Sequence, residues 1–211
     1  MKSAEWYFDF ISPFSYLQIE AFDRLPPDMK LTLRPVLFAG LLNHWGHKGP
    51  AEIPEKRRFT YRFVQWLAER QGVPMKFPPV HPFNPIKALR LAIVAGNDIA
   101  SVRTIFRHIW REGKSIDDAV GWSDLCQRIG IVDPGTKIIE PKVKDELKRN
   151  GERAVAAGVF GVPSFIIGGE LFWGADATEM MLDYLRNPQR FASGELGRVA
   201  TLPVGVERPQ R

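Results

Sequence analysis

Cysteine is the scarcest reactive residue in this chain, with Cys126 the only one among 211 residues. A lone thiol makes no internal disulfide, so nothing in the cysteine usage favours an oxidising compartment. It also excludes a Cys-x-x-Cys redox pair. No apolar run approaches the ~20 residues that span a bilayer, and the first residues enter strand chemistry without a basic-then-apolar leader. The expectation is a cytoplasmic protein that binds no membrane. Blocks of like charge are missing as well. The net charge of +5 comes from Lys and Arg interspersed with Asp and Glu, a pattern of solvated faces that predicts no nucleic-acid partner and leaves room for small anionic ligands. There is no phosphate-cradling Gly-Lys loop, no dinucleotide fingerprint and no usable Ser-His-Asp spacing. His44 and His47 stand among glycines without carboxylate or cysteine partners, so no metal is expected.

What is present is enough apolar material for a proper core, 45% of all residues, and one stretch around which the rest is organised. From Trp6 to Tyr16 the chain reads as a strand running into a helix through Ser12-Pro13. Ala4, Trp6, Phe8 and Phe10 alternate with Glu5, Tyr7 and Asp9, the period of extended chain. Pro13 suits a first helical position and Ser12 its N-cap. The first-turn amides and the positive end of the helix dipole converge there, a place that welcomes an anion.

An apolar stripe of Phe14, Leu17, Ala21, Phe22 and Leu25 follows, ended by Pro26-Pro27, and Lys30–Arg34 alternates as a second strand. Strand, helix and strand predict a right-handed crossover with parallel strands, ligands being bound at their carboxyl ends. From about Ala39 to Pro54 the glycines and prolines predict a loop. Helical patterns then run through Glu55–Arg70 (Phe59, Phe63, Trp66 and Leu67 inward), Ile86–Val94 capped by Asn84-Pro85, and Ile99–Glu112. Shorter ones are expected at Ser123–Ile129, Pro141–Leu147 and Asn150–Ala157. Cys126 and most of the six tryptophans are expected in the core. Strands return at 163–167 and 171–173 around Gly168-Gly169, and a last helix begins near Asp176 with Met180, Met181, Tyr184 and Leu185 inward. The expected organisation is a discontinuous α/β domain (1–39 and 150–186), an all-α insertion (40–149) and an extension without periodicity (187–211).

This order of elements, with Gly161-Val162-Pro163-Ser164-Phe165 before a hairpin, resembles the DsbA-like branch of the thioredoxin superfamily. Asp9-Phe10-Ile11-Ser12-Pro13-Phe14-Ser15-Tyr16, Pro54–Arg58, Gly158–Phe165 and Phe172–Asp176 are similar to 2-hydroxychromene-2-carboxylate isomerases and the kappa-class glutathione transferases. Ser12-Pro13-Phe14-Ser15 stands where a redox member carries its two cysteines. The resemblance implies a thioredoxin-like domain with an inserted helical domain, glutathione as cofactor, and Ser12 as the group that stabilises the glutathione sulfur. It further implies a cis Val162-Pro163 bond whose backbone meets the cysteinyl part of glutathione, Asp176 at the γ-glutamyl ammonium, and Lys56 at cofactor or substrate carboxylate. Asn84 has two readings, helix cap and substrate contact. A loop Asn of the relatives has His47, or else Asn43, as its counterpart, and the Arg that follows the Asp in relatives is Ala177 here.

The expected activity is therefore glutathione-dependent interconversion of 2-hydroxychromene-2-carboxylate and trans-o-hydroxybenzylidenepyruvate, a step of aromatic catabolism, by a homodimer acting on a small aromatic carboxylate. Two other readings stand beside it: a kappa-like transferase that conjugates glutathione to an electrophile, and a non-catalytic thioredoxin-fold binding module.

Overall fold

The computed structural model describes residues 2–206, which divide into two compact units on either side of the Ala175–Asp176 junction. In the first, β1 (Ser3–Phe8) is followed by α1 (Pro13–Glu20), a short 3₁₀ turn and β2 (Lys30–Pro35). β1 and β2 pair in parallel, Ser3 opposite Lys30 and Phe8 opposite Pro35. On its other edge β1 pairs antiparallel with β3 (Ser164–Ile167), and β3 forms a hairpin with β4 (Glu170–Trp173), giving the order β2-β1-β3-β4. Gly168 and Gly169 turn that hairpin at positive φ. The parallel β1–β2 pair and the β3–β4 hairpin are those expected.

Central β1 is buried on both faces. Trp6 and Phe8 stack at 4.6 Å between ring centroids and extend through Phe10, Phe22, Phe106 and Phe165 as one aromatic core. On the other face Tyr7 packs with Val36, Leu41, Ala154, Val159 and Val162.

Between β2 and β3 lie α2 (Phe38–Trp45), α3 (Pro54–Gln71), α4 (Ile86–Val94), α5 (Ile99–Phe106) continuing into a π-helical turn at Arg107–Arg111, α6 (Ala119–Ile129), α7 (Pro134–Lys137) and α8 (Pro141–Ala156). Four expectations are corrected here. The segment from Ala39 is a helix, α2, because its glycine falls past the end: Gly46 adopts φ 62° and caps the last turn. The two short helices at 141–147 and 150–157 are one, α8, with Asn150 fully buried in its middle. On α3 the buried residues are Val64 and Ala68, whereas Phe59, Phe63 and Trp66 are exposed. Their aromatic row stacks along the outside of the helix and reaches Phe14 of α1. Trp6 and Trp110 are core residues, but Trp45, Trp66 and Trp173 are exposed. Cys126 is buried, and burial pushes its thiol pKa up.

The second unit holds α9 (Thr178–Arg186), α10 (Pro188–Phe191) and α11 (Gly194–Val199). Met181 and Leu185 are buried as expected, while Met180 is exposed. The extension is therefore partly helical, and residues 207–211 lie outside the described part.

Candidate functional site

The first three residues after β1 leave the sheet in a turn closed by Ser12 N–H donating to the Asp9 carbonyl at 3.0 Å. Pro13 then starts α1, and Ser12 caps it with φ −91° and ψ 113°. Its Oγ accepts from the Ser15 amide at 3.2 Å and donates to the carbonyl of Val162 at 3.3 Å. The Val162-Pro163 bond is cis. Residues 150 positions apart thus meet at the carboxyl end of β1. Ser12 is a nearly buried hydroxyl, 7% exposed, beside a helix N-terminus whose Phe14 amide has no intrahelical acceptor by helix geometry. The N–H of Val162 has no protein acceptor among the described residues.

The turn is held from beneath and from the inserted helices. Asp9 is fully buried; its Oδ1 accepts from Ile11 N–H at 3.0 Å and its Oδ2 from Phe38 N–H at 2.8 Å. Burial pushes its carboxyl up to about 7, and the backbone donors only partly offset that. Trp110 Nε1 donates to the Phe10 carbonyl at 2.8 Å. His81 Nε2 lies 2.8 Å from the Ile11 carbonyl and so carries the proton, which makes Nδ1 the acceptor for the Tyr61 hydroxyl at 2.5 Å. Burial lowers the His81 pKa, in keeping with a neutral ring. Tyr16, one turn into α1, donates to the Pro74 carbonyl at 2.6 Å.

Asp9, Tyr61, His81 and Trp110 were not among the site residues expected from sequence. Asp9 carried a signal, a carboxylate amid aromatics on a strand; His81-Pro82 carried none, because its loop has no period.

Of the expected site residues, Ser12, Val162 and Pro163 come together. Lys56 is the third residue of α3 and exposed; His47 is exposed just past α2, as is Asn43 within it. Asn84 caps α4, its Oδ1 accepting from the Ile86 amide at 3.1 Å, with its side chain otherwise open to solvent. The side-chain hydrogen bonds of Ser12 go to none of these four. Asp176 is the first residue of the second unit and is exposed. Gly161 lets Trp173 approach closely: a Cβ there would lie 2.5 Å from Trp173 Nε1, so the indole would have to shift.

Elsewhere His108, Glu112 and Asp124 cluster, with possible ligand atoms within 4.8 Å of one another. Their charges are already met by Arg128 and Lys114, which bridge both carboxylates. No helix of the described residues is long and apolar enough to cross a membrane.

A four-stranded mixed sheet and a cis-proline facing a helix N-terminus that carries Ser12 and Ser15 define a thioredoxin-fold protein. The chain belongs to the DSBA-like thioredoxin domain family, whose model matches residues 4–186. Kappa 1 glutathione S-transferase of Caenorhabditis elegans is 23% identical over 94% of this chain and 97% of its own length. The 2-hydroxychromene-2-carboxylate isomerase of Pseudomonas putida is 26% identical over 84% of this chain and 91% of its own. Among solved structures, a 2-hydroxychromene-2-carboxylate isomerase superposes with a TM-score of 0.76 at 22% identity, covering 91% of this chain and all of that one. The chain is thus related to isomerases and to glutathione transferases, within the DsbA-like thioredoxin fold.

Proposed function

We propose that this protein is a glutathione-dependent isomerase that interconverts 2-hydroxychromene-2-carboxylate and trans-o-hydroxybenzylidenepyruvate. The observation that carries the reading is Ser12: a hydroxyl at the N-terminus of α1, within hydrogen-bond reach of the residue before a cis-proline, where a redox relative needs a thiol. The residues fit glutathione. Among the described residues, Val162 offers an N–H without a protein acceptor and a carbonyl held only by the long bond from Ser12, the pair that an extended peptide takes up as an added strand. Bound glutathione would supply the sulfur nucleophile whose addition to and loss from a conjugated carbon lets a double bond turn.

Every other contribution belongs to the chain. Ser12 exchanges its bond to Val162 for one to the sulfur and, with the first-turn amides, holds negative charge there. Each unit by which the thiol pKa falls represents about 1.4 kcal/mol of such stabilisation. His47 and Asp176 bind the polar ends of the cofactor, Lys56 takes a carboxylate of cofactor or substrate, and Asn84 meets the substrate carbonyl. In this reading residues 1–39 and 150–186 form the thioredoxin-like domain, 40–149 the insertion that walls the site, and the enzyme works in the cytoplasm as a homodimer.

The test mixes purified protein, glutathione and the chromene carboxylate and follows both the ultraviolet spectrum and total glutathione. Spectral change at constant glutathione is expected. Consumption of glutathione assigns the kappa-like transferase activity instead. Absence of glutathione binding in a calorimetric titration leaves a binding module.

A further inference from the structure

On the face of the molecule covered by α2, α4 and α8 there is a groove of about 490 Å³ that shares no residue with the Ser12 turn. Its size falls in the range of small-molecule sites, roughly 300–1,000 Å³. Leu37, Leu41, Ile86, Leu147 and Val155 supply an apolar floor. Arg90, Lys144 and Lys148 supply cationic groups, against one lining carboxylate, Glu152. Glu152 faces Lys148 at 3.7 Å in a solvent-exposed pair, which leaves the field of the groove positive.

Arg90 is the informative residue. It is half-buried, forms no ion pair among the described residues, and its Nε is buried without a hydrogen-bond partner among them. Its guanidinium therefore has hydrogen-bonding capacity that no protein group takes up, and a carboxylate is the group that matches it. The groove is also kept open in an unusual way. Gly40 on α2 and Gly151 on α8 both line it, neither has a positive φ, and a Cβ at either would touch nothing within 4 Å. Inside a helix each glycine costs about 0.5–1 kcal/mol relative to alanine, and no backbone conformation or close contact calls for glycine at either position. What the two glycines have in common is that side chains there would enter the groove.

We propose that this groove is a second binding site, for a monocarboxylate with an apolar body whose carboxylate pairs with Arg90. The aliphatic part lies on Leu41, Ile86, Leu147 and Val155, and Lys144 and Lys148 raise the local concentration of the anion.

The probe is decanoate, titrated into the full chain by calorimetry. Saturable binding is expected. It weakens about tenfold or more in Arg90→Gln, the value of one charge-assisted hydrogen bond, and disappears in Gly151→Phe, which fills the groove. Replacing a helical glycine relieves its backbone cost, so Gly151→Phe stays folded, and unchanged affinity in Arg90→Gln overturns the proposal as surely as binding that survives Gly151→Phe. Ser12→Ala and saturating glutathione leave decanoate binding unchanged. The proposal is overturned if decanoate does not bind, if binding survives Gly151→Phe, or if Ser12→Ala or glutathione abolishes it, since the last outcome places the ligand at the Ser12 turn.

Discussion

Two side chains at the turn, Ser12 and Asp9, are held by backbone groups on opposite sides of it, and they answer to different measurements. Ser12 Oγ sits between the Ser15 amide and the Val162 carbonyl. Ser12→Ala removes an N-cap, which costs about 1 kcal/mol of stability. It also removes the hydroxyl donor proposed for the sulfur, and turnover in the isomerisation assay is expected to fall about 10- to 100-fold. Unchanged turnover would take Ser12 out of the mechanism. Asp9 controls a pH dependence. Its folded-state pKa of about 7 lies above the ~3.9 of an exposed Asp, so between those values the native state binds more protons than the unfolded one. Stability therefore falls as pH rises through that window, by an amount on the order of 4 kcal/mol from this group, and is flat above it. Asp9→Asn removes the titration but turns an amide NH2 toward one of the two backbone donors, so it has a pH-independent cost of its own. Urea melts of both proteins at about pH 5 and about pH 8 should show the wild type losing stability relative to the variant as pH rises; parallel profiles would refute the assignment. His81 works in the other direction. Its folded pKa is depressed, so its contribution is present above the unfolded value of ~6.5 and is lost as pH falls below it.

At the scale of elements, periodicity predicted well where one face alone is buried or where turn chemistry is explicit. The hairpin around Gly168-Gly169, the Ser-Pro helix start and the Asn84 cap were all legible. Four features were not, each for a physical reason. α2 is short, and its glycines look like a loop when only one of them is the cap. α8 carries Asn150-Gly151, which reads as a break although tertiary packing keeps the helix continuous. The π-helical turn at Arg107–Arg111 leaves the apolar stripe of α5 intact and so is invisible in it. The fourth is α3, where two apolar sets compete. The aromatic set Phe59, Phe63 and Trp66 has the larger side chains, yet Val64 and Ala68 face the protein. A direct consequence is that Phe59→Ser should change stability by no more than about 0.5 kcal/mol, while Val64→Ala should cost about 2 kcal/mol. Denaturant unfolding of the two variants separates the faces, and the reverse ranking would mean that the aromatic row is the packed one. The meeting of Ser12 with Val162 beside Pro163 was legible because these residues lie in motifs, whereas His81 and Trp110, which hold the turn, lie in a loop and at the end of an inserted helix.

For the whole molecule, the question is why the turn that carries Ser12 at the end of β1 is accompanied by so many helices between β2 and β3. The chain answers with hydrogen bonds: the carbonyls of Phe10 and Ile11 are satisfied by Trp110 and His81, and Tyr16 of α1 reaches the Pro74 carbonyl. All three partners come from the segment between β2 and β3, so the turn is set by residues up to 100 positions away. Their rings form one cluster, Trp110 lying 5.3 Å from both Phe77 and His81. Trp110→Phe keeps an aromatic ring in that cluster but leaves the buried Phe10 carbonyl without its donor, a loss of about 1–3 kcal/mol. Stability is expected to fall by that amount. If the insertion positions the turn, isomerase activity should fall as well at temperatures where the variant is still fully folded. Trp66→Phe is the control, because Trp66 is half exposed on the outside of α3 and should change neither quantity. Full activity in folded Trp110→Phe would show that the insertion stabilises the turn without setting its geometry. A fall in kcat at temperatures where the variant is fully folded would show that the segment between β2 and β3 acts on Ser12 as well as on stability.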